Sequence, residues 1–137
     1  MQKPLSLFEL LIPRRPVSHQ AKDRANLQKW KDFVYGRARL SWQGTPLTED
    51  GLRLTLVYLC DDAPADIDNV IKPIQDALVG VVFADDFQIT DVDSHRRFLS
   101  EEIDITHLPS LLLQGLVLSQ ECVYIRVSLA EALDRYL

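Results

Sequence analysis

The stretch from residue 66 to residue 89 concentrates acidic side chains in a way that restricts how the chain can fold. It reads DIDNVIKPIQDALVGVVFADDFQI and holds five aspartates with a single base, Lys72. Like charges packed this closely repel one another and are costly to bury, so a folded chain that gathers them usually places a positive charge between them. The pattern therefore favours a bound divalent cation.

Hydrophobic patterning around this stretch predicts the strands and the fold class. Apolar runs and period-two alternation predict strands at residues 5–12, 51–60, 81–83, 88–99 and 121–130. Strands and helices are mixed without strict alternation, which favours an α+β fold with a single mixed β-sheet and helices packed on it. A chain of 137 residues is about one domain, so we expect one domain over residues 1–137.

Apolar residues at steps of three and four predict the helices. A long helix is expected from Ser18, its predicted N-cap, to Trp42. A second helix is expected from Asp68 or Asn69 to residue 78, with a late start or a bend caused by Pro73. Residues 109–119 suggest a short helix interrupted by a glycine, and residues 131–137 suggest a terminal helical turn.

Composition and apolar run lengths bear on the compartment. Cys60 and Cys122 have no Cys or His partner at zinc-site spacing, so we expect buried free thiols in a reducing environment. No apolar run approaches the ~20 residues of a membrane span. The charges of residues 1–16 follow their apolar stretch, unlike those of a signal peptide. These features predict a soluble cytoplasmic protein with no membrane partner.

Basic and acidic residues are separated along the chain, although the net charge is -5. Residues 14–39 hold eight bases and two acids, whereas residues 61–93 hold nine acids and one lysine. A basic arm beside an acidic site suits a phosphodiester substrate, because the arm attracts the backbone and the acids hold a metal at the cleaved bond. An equally open alternative is that the arm is a solvated helix face. The predicted DNA contacts are Arg14, Arg15, Lys22, Arg24, Lys29, Lys31, Arg96 and Arg97.

Spacing of the aspartates suggests a magnesium site. Asp66 and Asp68 are one residue apart, so in an extended segment both carboxylates point the same way. Either Asp85 or Asp86 is expected to close the site from the other side. Mg²⁺ prefers oxygen ligands and is commonly bound by one or two carboxylates plus substrate phosphate, which points to phosphoryl-transfer chemistry.

The single base, Lys72, allows two interpretations. It lies one helical turn beyond Asp68, where its ammonium could counter charge on the phosphate or on the departing oxygen. The alternative is an i, i+4 surface ion pair with Asp68, worth only about 0.3–0.5 kcal/mol. For Asp76, two turns further on, we expect a cap, a salt bridge or a DNA-facing role rather than metal binding.

The same residues resemble the signature of the RusA family of Holliday-junction resolvases, DxDNxxKxxxDAL followed by DDxQI. The matching positions are Asp66-Ile67-Asp68-Asn69, Lys72, Asp76-Ala77-Leu78, Gly80, Asp85-Asp86 and Gln88-Ile89. The resemblance implies that Asp66, Asp68, Asp86 and Lys72 are the functional residues. It also implies a homodimeric endonuclease of DNA recombination and repair that depends on Mg²⁺, or on Mn²⁺ as a substitute, and places symmetric nicks in four-way DNA junctions.

Two other function classes stay open at this point. One is a module, derived from such a nuclease, that binds branched DNA without cutting it. The other is an acid-rich metal-binding protein unrelated to nucleic acid. Junction binding that falls steeply with salt, without nicks under any metal, would favour the first. The second would survive only if charge reversal at Arg24, Lys29 and Lys31 left DNA affinity unchanged.

Overall fold

The computed structural model describes residues 6–137, and it contains four strands and three α-helices. In chain order these are β1 (Ser6–Ile12), α1 (Arg24–Ser41), β2 (Leu52–Cys60), α2 (Ile67–Leu78), β3 (Ile89–Phe98), α3 (Ser110–Leu118) and β4 (Cys122–Leu129). Two 3-10 turns, Asp86–Gln88 and Leu133–Arg135, complete the list. No helix in this part of the chain is both long enough and apolar enough to cross a membrane.

The four strands form one mixed sheet in the order β1-β4-β2-β3. β4 pairs antiparallel with both β1 and β2, whereas β2 and β3 run parallel. This architecture confirms the predicted α+β fold with a single mixed sheet. The strand predictions for β2, β3 and β4 are correct to within one residue at each end. The first strand is also confirmed, except that its predicted first residue, Leu5, lies outside the described residues.

Helices α1 and α2 cover one face of the sheet and enclose the larger core. Trp30 and Val34 of α1 and Ile74 of α2 are at most 2% exposed and pack with Leu54 and Ile125 from the central strands. Apolar side chains on alternate strand positions point to this face, since successive residues of a strand face opposite sides. The core therefore fixes α2, and with it the acidic stretch, against the sheet.

Helix α1 begins later than the sequence suggests. Its N-cap is Asp23, whose Oδ1 accepts a 3.0 Å hydrogen bond from the Asn26 N–H. The prediction that Ser18 caps the helix is wrong, because the Ser18 hydroxyl accepts the N–H of Gln20 at 3.0 Å and closes a local turn. Such side-chain-to-backbone bonds compete with helix formation.

Helix α2 tolerates Pro73 because a distant residue replaces the missing hydrogen bond. Proline has no N–H to donate to the carbonyl four residues earlier, which here belongs to Asn69. That carbonyl accepts the backbone N–H of His19 at 2.9 Å. The predicted late start is wrong, and so is capping by Asp68 or Asn69, since the helix begins at Ile67 with Asp66 as N-cap.

Residues 81–83 do not form the predicted strand. All three side chains are buried, but the segment is a turn in which Phe83 makes only isolated bridges, to Leu47 and Val79. The chain turns away from α2 at Gly80, as predicted. Gly80 has φ +82°, a conformation that is readily available only to glycine. The N–H groups of Val81 and Val82 donate back to the Leu78 carbonyl, at 3.1 and 3.0 Å, so this backbone closes a turn instead of pairing as a strand.

Helix α3 covers part of the other face of the sheet and runs uninterrupted through Gly115. A smaller core forms here from Leu11, Leu112, Cys122 and Tyr124. Cys60 and Cys122 are both buried free thiols, as predicted, and burial raises the pKa of Cys122 to about 11. The predicted interruption at Gly115 is wrong because the glycine serves close packing rather than a break.

Replacing Gly115 with alanine should destabilise the fold. A Cβ at this position would lie 2.8 Å from Cys122 Sγ and 3.3 Å from Leu11 Cδ1. Overpacking of this kind costs about 1–3 kcal/mol, measurable as a lower free energy of unfolding in urea. Gly36→Ala in α1 is the matched control: nothing lies within 4 Å of its Cβ, so it should stabilise by about 0.5–1 kcal/mol. Equal stability of the two variants would contradict the packing role of Gly115.

Candidate active site

The four residues predicted to be catalytic all lie on the connection between β2 and β3. Asp66 and Asp68 are at the start of α2, Lys72 is within α2, and Asp86 begins the 3-10 turn just before β3. Parallel neighbours cannot be joined by a hairpin, so the chain crosses the sheet between them and carries this whole set on the crossover. Residues far apart in that connection thereby come near each other.

Asp66 and Asp68 present uncommitted carboxylates. Both residues are exposed, and Asp66, although it is the N-cap of α2, makes no side-chain capping bond. Within residues 6–137, neither carboxylate forms a hydrogen bond or an ion pair. Negative charges at a helix N-terminus interact favourably with the helix dipole, which suits acidic residues at this end of α2. Their oxygens are free to bind a ligand.

Lys72 joins α2 to the aspartate pair that follows it. Its Nζ lies 2.9 Å from Asp76 Oδ1 and 3.6 Å from Asp86 Oδ2. The hydrogen bond that Lys72 donates to Asp76 is the main reason that the pKa of Lys72 is raised, so this side chain is an ammonium at neutral pH. The alternative ion pair with Asp68 is not formed. Asp76 also pairs with Lys31 at 3.4 Å, which confirms the salt-bridge interpretation of Asp76.

Asp85 and Asp86 have different structural roles. Asp85 Oδ1 accepts the N–H of Phe87 at 3.0 Å, a bond that lowers the pKa of Asp85, and this residue caps the 3-10 turn. The carboxylate of Asp86 is directed to Lys72 instead. Local structure therefore separates a capping acid from one that faces the candidate site.

Gln88 anchors the turn that carries Asp86. Its side-chain oxygen accepts the N–H groups of Ala84 and Asp85, and its side-chain nitrogen donates to the carbonyls of Leu47 and Glu49, each at 2.9 Å. Gln88 is 6% exposed, so its own amide group has little access to water and depends on these four bonds. The sequence does contain a signal for this role, because an acid followed three positions later by Gln is the pattern of a capping box.

The arrangement of the carboxylates also bears on whether the site could hold a metal ion. Within residues 6–137, no three His, Cys, Asp or Glu side chains form a group that could hold one. The donor chemistry nevertheless suits Mg²⁺, since Asp66 and Asp68 supply free, exposed carboxylate oxygens and Mg²⁺ commonly takes only one or two carboxylates from a protein. Shared binding of one ion by Asp66, Asp68 and Asp86 stays a prediction.

Basic residues of α1 and its approach divide into paired and unpaired side chains. Arg14 stacks over the Phe33 ring, 3.7 Å from its centre, and Arg24 donates to the His19 carbonyl at 3.2 Å. Lys22 and Lys29 are exposed and make no hydrogen bond or ion pair within the described part of the chain. Both lysines are therefore available to a phosphate backbone, as are Arg37 and Arg39 of α1, which are also exposed and unpaired within the described residues.

Arg15 is bound to the loop that precedes α2. Its guanidinium donates to the carbonyls of Asp62, at 3.2 Å, and Ala63, and pairs with Glu121 Oε1 at 3.3 Å. Ala63 has φ +46°, a left-handed conformation that costs a non-glycine residue about 1–2 kcal/mol. The other oxygen of Glu121 accepts the Tyr58 hydroxyl at 2.9 Å. Burial, followed by this bond, raises the pKa of Tyr58.

Arg96 approaches the same loop from β3. Its Nη1 donates to the Ala65 carbonyl at 3.3 Å, while the neighbouring Arg97 donates to the Arg96 carbonyl at 2.9 Å. Sequence reasoning treated Arg15 and Arg96 only as DNA contacts and did not consider Glu121. No local pattern could have indicated the Arg15–Glu121 pair, because 106 positions separate the two residues.

Comparison with known proteins gives one family match. The family model described as endodeoxyribonuclease RusA matches residues 12–106. This segment contains Asp66, Asp68, Lys72 and Asp86 and ends before α3, β4 and Glu121. A search of curated proteins returned no match.

Replacing Gln88 with glutamate should loosen the turn that carries Asp86. The change keeps the shape but places a carboxylate oxygen against the Leu47 and Glu49 carbonyls, which lose their donor. We expect a loss of about 2–3 kcal/mol in the free energy of unfolding at neutral pH, and a smaller loss in acid, where the carboxyl group carries a proton. Thermal unfolding at the two pH values measures this. The exposed Gln43→Glu is the control, and equal effects at both positions would refute the anchoring role.

Proposed function

The chain belongs to the RusA family of endodeoxyribonucleases, and we propose that it resolves Holliday junctions by paired symmetric nicks, with Mg²⁺ as cofactor, in DNA recombination and repair. Family membership implies endodeoxyribonuclease activity. One observation carries the proposal. The segment that matches the family model includes the whole connection between β2 and β3, and every predicted catalytic residue lies on that connection.

Asp66, Asp68 and Asp86 are the proposed ligands of the metal ion. Support comes from the free carboxylates of Asp66 and Asp68 and from the exposed position of all three residues, which leaves room for substrate phosphate and water. When bound, Mg²⁺ supplies Lewis-acid polarisation of the scissile phosphate. Mn²⁺ has similar oxygen-ligand preferences and is the expected substitute.

Lys72 is the proposed electrostatic catalyst. Asp76 holds its ammonium at 2.9 Å and keeps it protonated, and Asp86 lies 3.6 Å away. A fixed positive charge stabilises the phosphate as negative charge develops in the transition state, and such contributions are among the largest in enzyme sites. The position of Lys72 between two carboxylates limits its freedom to move away from the substrate.

The unpaired bases are proposed to bind the phosphate backbone of a branched DNA. Lys22 and Lys29 have no protein partner to give up, and Arg14 is already held over an aromatic ring. Each phosphate contact releases counterions, so affinity should fall as salt increases. Each remaining predicted contact would have to exchange an internal hydrogen bond or ion pair for DNA: Arg15, Arg24, Lys31, Arg96 and Arg97.

A homodimer follows from the proposed reaction. One active site cuts one strand, and resolution of a four-way junction needs two cuts at symmetric positions. Two copies related by a two-fold axis match that symmetry, and such dimers are the commonest oligomers.

A second candidate is a branched-DNA-binding module that no longer cuts. The observation in its favour is that the described residues contain no group of three potential metal ligands. A protein that had lost its metal would keep the basic arm and the fold. The two candidates differ in whether nicks appear when metal is supplied.

Cleavage of a synthetic four-way junction should require Mg²⁺ and should be abolished by Asp68→Asn, which removes one negative ligand without changing shape. Lys72→Ala should slow cleavage by roughly 100-fold or more, because a transition-state charge contact is lost. Gel analysis of nicked products under single-turnover conditions measures both. Lys72→Arg, which retains the positive charge, should recover part of the rate.

Salt-dependent binding without nicks under any divalent metal would favour the non-cleaving module. Cleavage that proceeds equally well in a chelator would refute the metal-dependent mechanism. Full activity of Asp68→Asn would refute the assignment of the carboxylates.

A further inference from the structure

The loop at residues 61–66 depends on side chains from other elements for its conformation. Residues 62–65 take part in no backbone-to-backbone hydrogen bond within the described chain. Ala63 nevertheless adopts a left-handed conformation that side chains rarely favour. The loop leads directly into Asp66 and Asp68, so whatever fixes it also fixes the direction in which these carboxylates enter α2.

Arg15 supplies most of the missing contacts. It bonds the carbonyls of two consecutive loop residues, Asp62 and Ala63, and its position is set by Glu121 at the start of β4. Glu121 is in turn held by the Tyr58 hydroxyl of β2 at 2.9 Å. The side chain of Glu121 is only 17% exposed, so this chain of contacts is partly shielded from water. It connects the loop to the two central strands.

The same contacts make Arg15 a poor phosphate ligand. Its charge is balanced by Glu121, and its N–H groups point to protein oxygens. Binding DNA through Arg15 would release the Asp62 and Ala63 carbonyls and leave Glu121 without its cation. Arg96 supports the opposite side of the loop through the Ala65 carbonyl.

We propose that Arg15, with Glu121 and Tyr58, is a positioning device that fixes the loop 61–66 and thereby Asp66 and Asp68, rather than a DNA contact. This role rests on the proposed function of the two aspartates. Glu121 lies beyond the segment matched by the family model, so the device includes a residue from outside that segment. Asp66 and Asp68 act on the substrate; Arg15 acts through them.

Backbone ¹⁵N relaxation measures the rigidity of the loop directly and needs no DNA cleavage. In Arg15→Ala and in Glu121→Gln, the order parameters of the Asp62, Ala63 and Ala65 amides should fall from about 0.85 towards 0.6 or below, while those of α1 stay unchanged. Lys29→Ala, which removes an exposed base from the same basic arm, should leave the loop unchanged. Loop amides as rigid in both variants as in the unmodified protein would overturn the proposal, whether or not the protein cuts DNA.

Junction binding and cleavage test the consequence. Arg15→Ala should bind a four-way junction in the absence of metal within about twofold of the unmodified protein and with an unchanged salt slope, whereas Lys29→Ala should reduce both affinity and slope. The cleavage rate at saturating junction should fall at least about tenfold in Arg15→Ala, because misplaced groups are costly to catalysis.

A conservative variant shows whether Arg15 acts by positioning the loop or only by its positive charge. Arg15→Lys keeps the charge but cannot bond two carbonyls and Glu121 in the same fork geometry, so it should bind as the unmodified protein does and still cleave slowly. A lower affinity in Arg15→Ala that Arg15→Lys restores, with the cleavage rate unaffected, would identify a phosphate contact and refute positioning. Absence of cleavage by the unmodified protein would refute the proposed function, and relaxation would still decide the role of Arg15.

Discussion

The parallel pairing of β2 with β3 is the constraint on which the arrangement of this protein depends. Two parallel neighbours need a connection that returns across the face of the sheet, and here that connection is the loop 61–66, helix α2, a buried turn and a 3-10 turn. Burial of Ile74 and Leu78 holds the crossover against the sheet. Its outward side is then free to carry charged groups, and the candidate active site occupies that side.

Other polar groups, from the backbone or from side chains, take over where the crossover lacks regular backbone hydrogen bonds. The His19 N–H replaces the bond that Pro73 cannot make, Gln88 satisfies four backbone groups around the turn before β3, and Arg15 bonds two carbonyls of the loop before α2. Buried or partly buried backbone groups need such partners, because leaving them unpaired is costly. Irregular segments near the candidate site thus have hydrogen-bond partners in place of those of regular helices and strands.

Bases and acids that are separated along the sequence form ion pairs with one another in the folded chain. Lys31 and Lys72 both pair with Asp76, so part of the basic arm neutralises part of the acidic stretch. Unpaired carboxylates remain at Asp66 and Asp68, and unpaired bases remain on the basic arm at Lys22, Lys29, Arg37 and Arg39. The unpaired carboxylates are the groups that a metal ion would require, and the unpaired bases are the groups that a phosphate backbone would require.

The sequence by itself determined the fold class, four strands, the approximate extent of the helices and the four residues of the candidate site, because periodicity and a spaced motif are local properties. It did not determine the start of α1 at Arg24, the turn at residues 81–83 or the uninterrupted helix through Gly115. A local turn closed by the Ser18 hydroxyl delays the start of α1, whereas contacts with other elements decide the turn at residues 81–83 and the packing of Gly115. Only the tertiary structure decided that Lys72 pairs with Asp76 and Asp86, and that Arg15 meets Glu121, since such pairs form where the sheet brings distant backbone segments together.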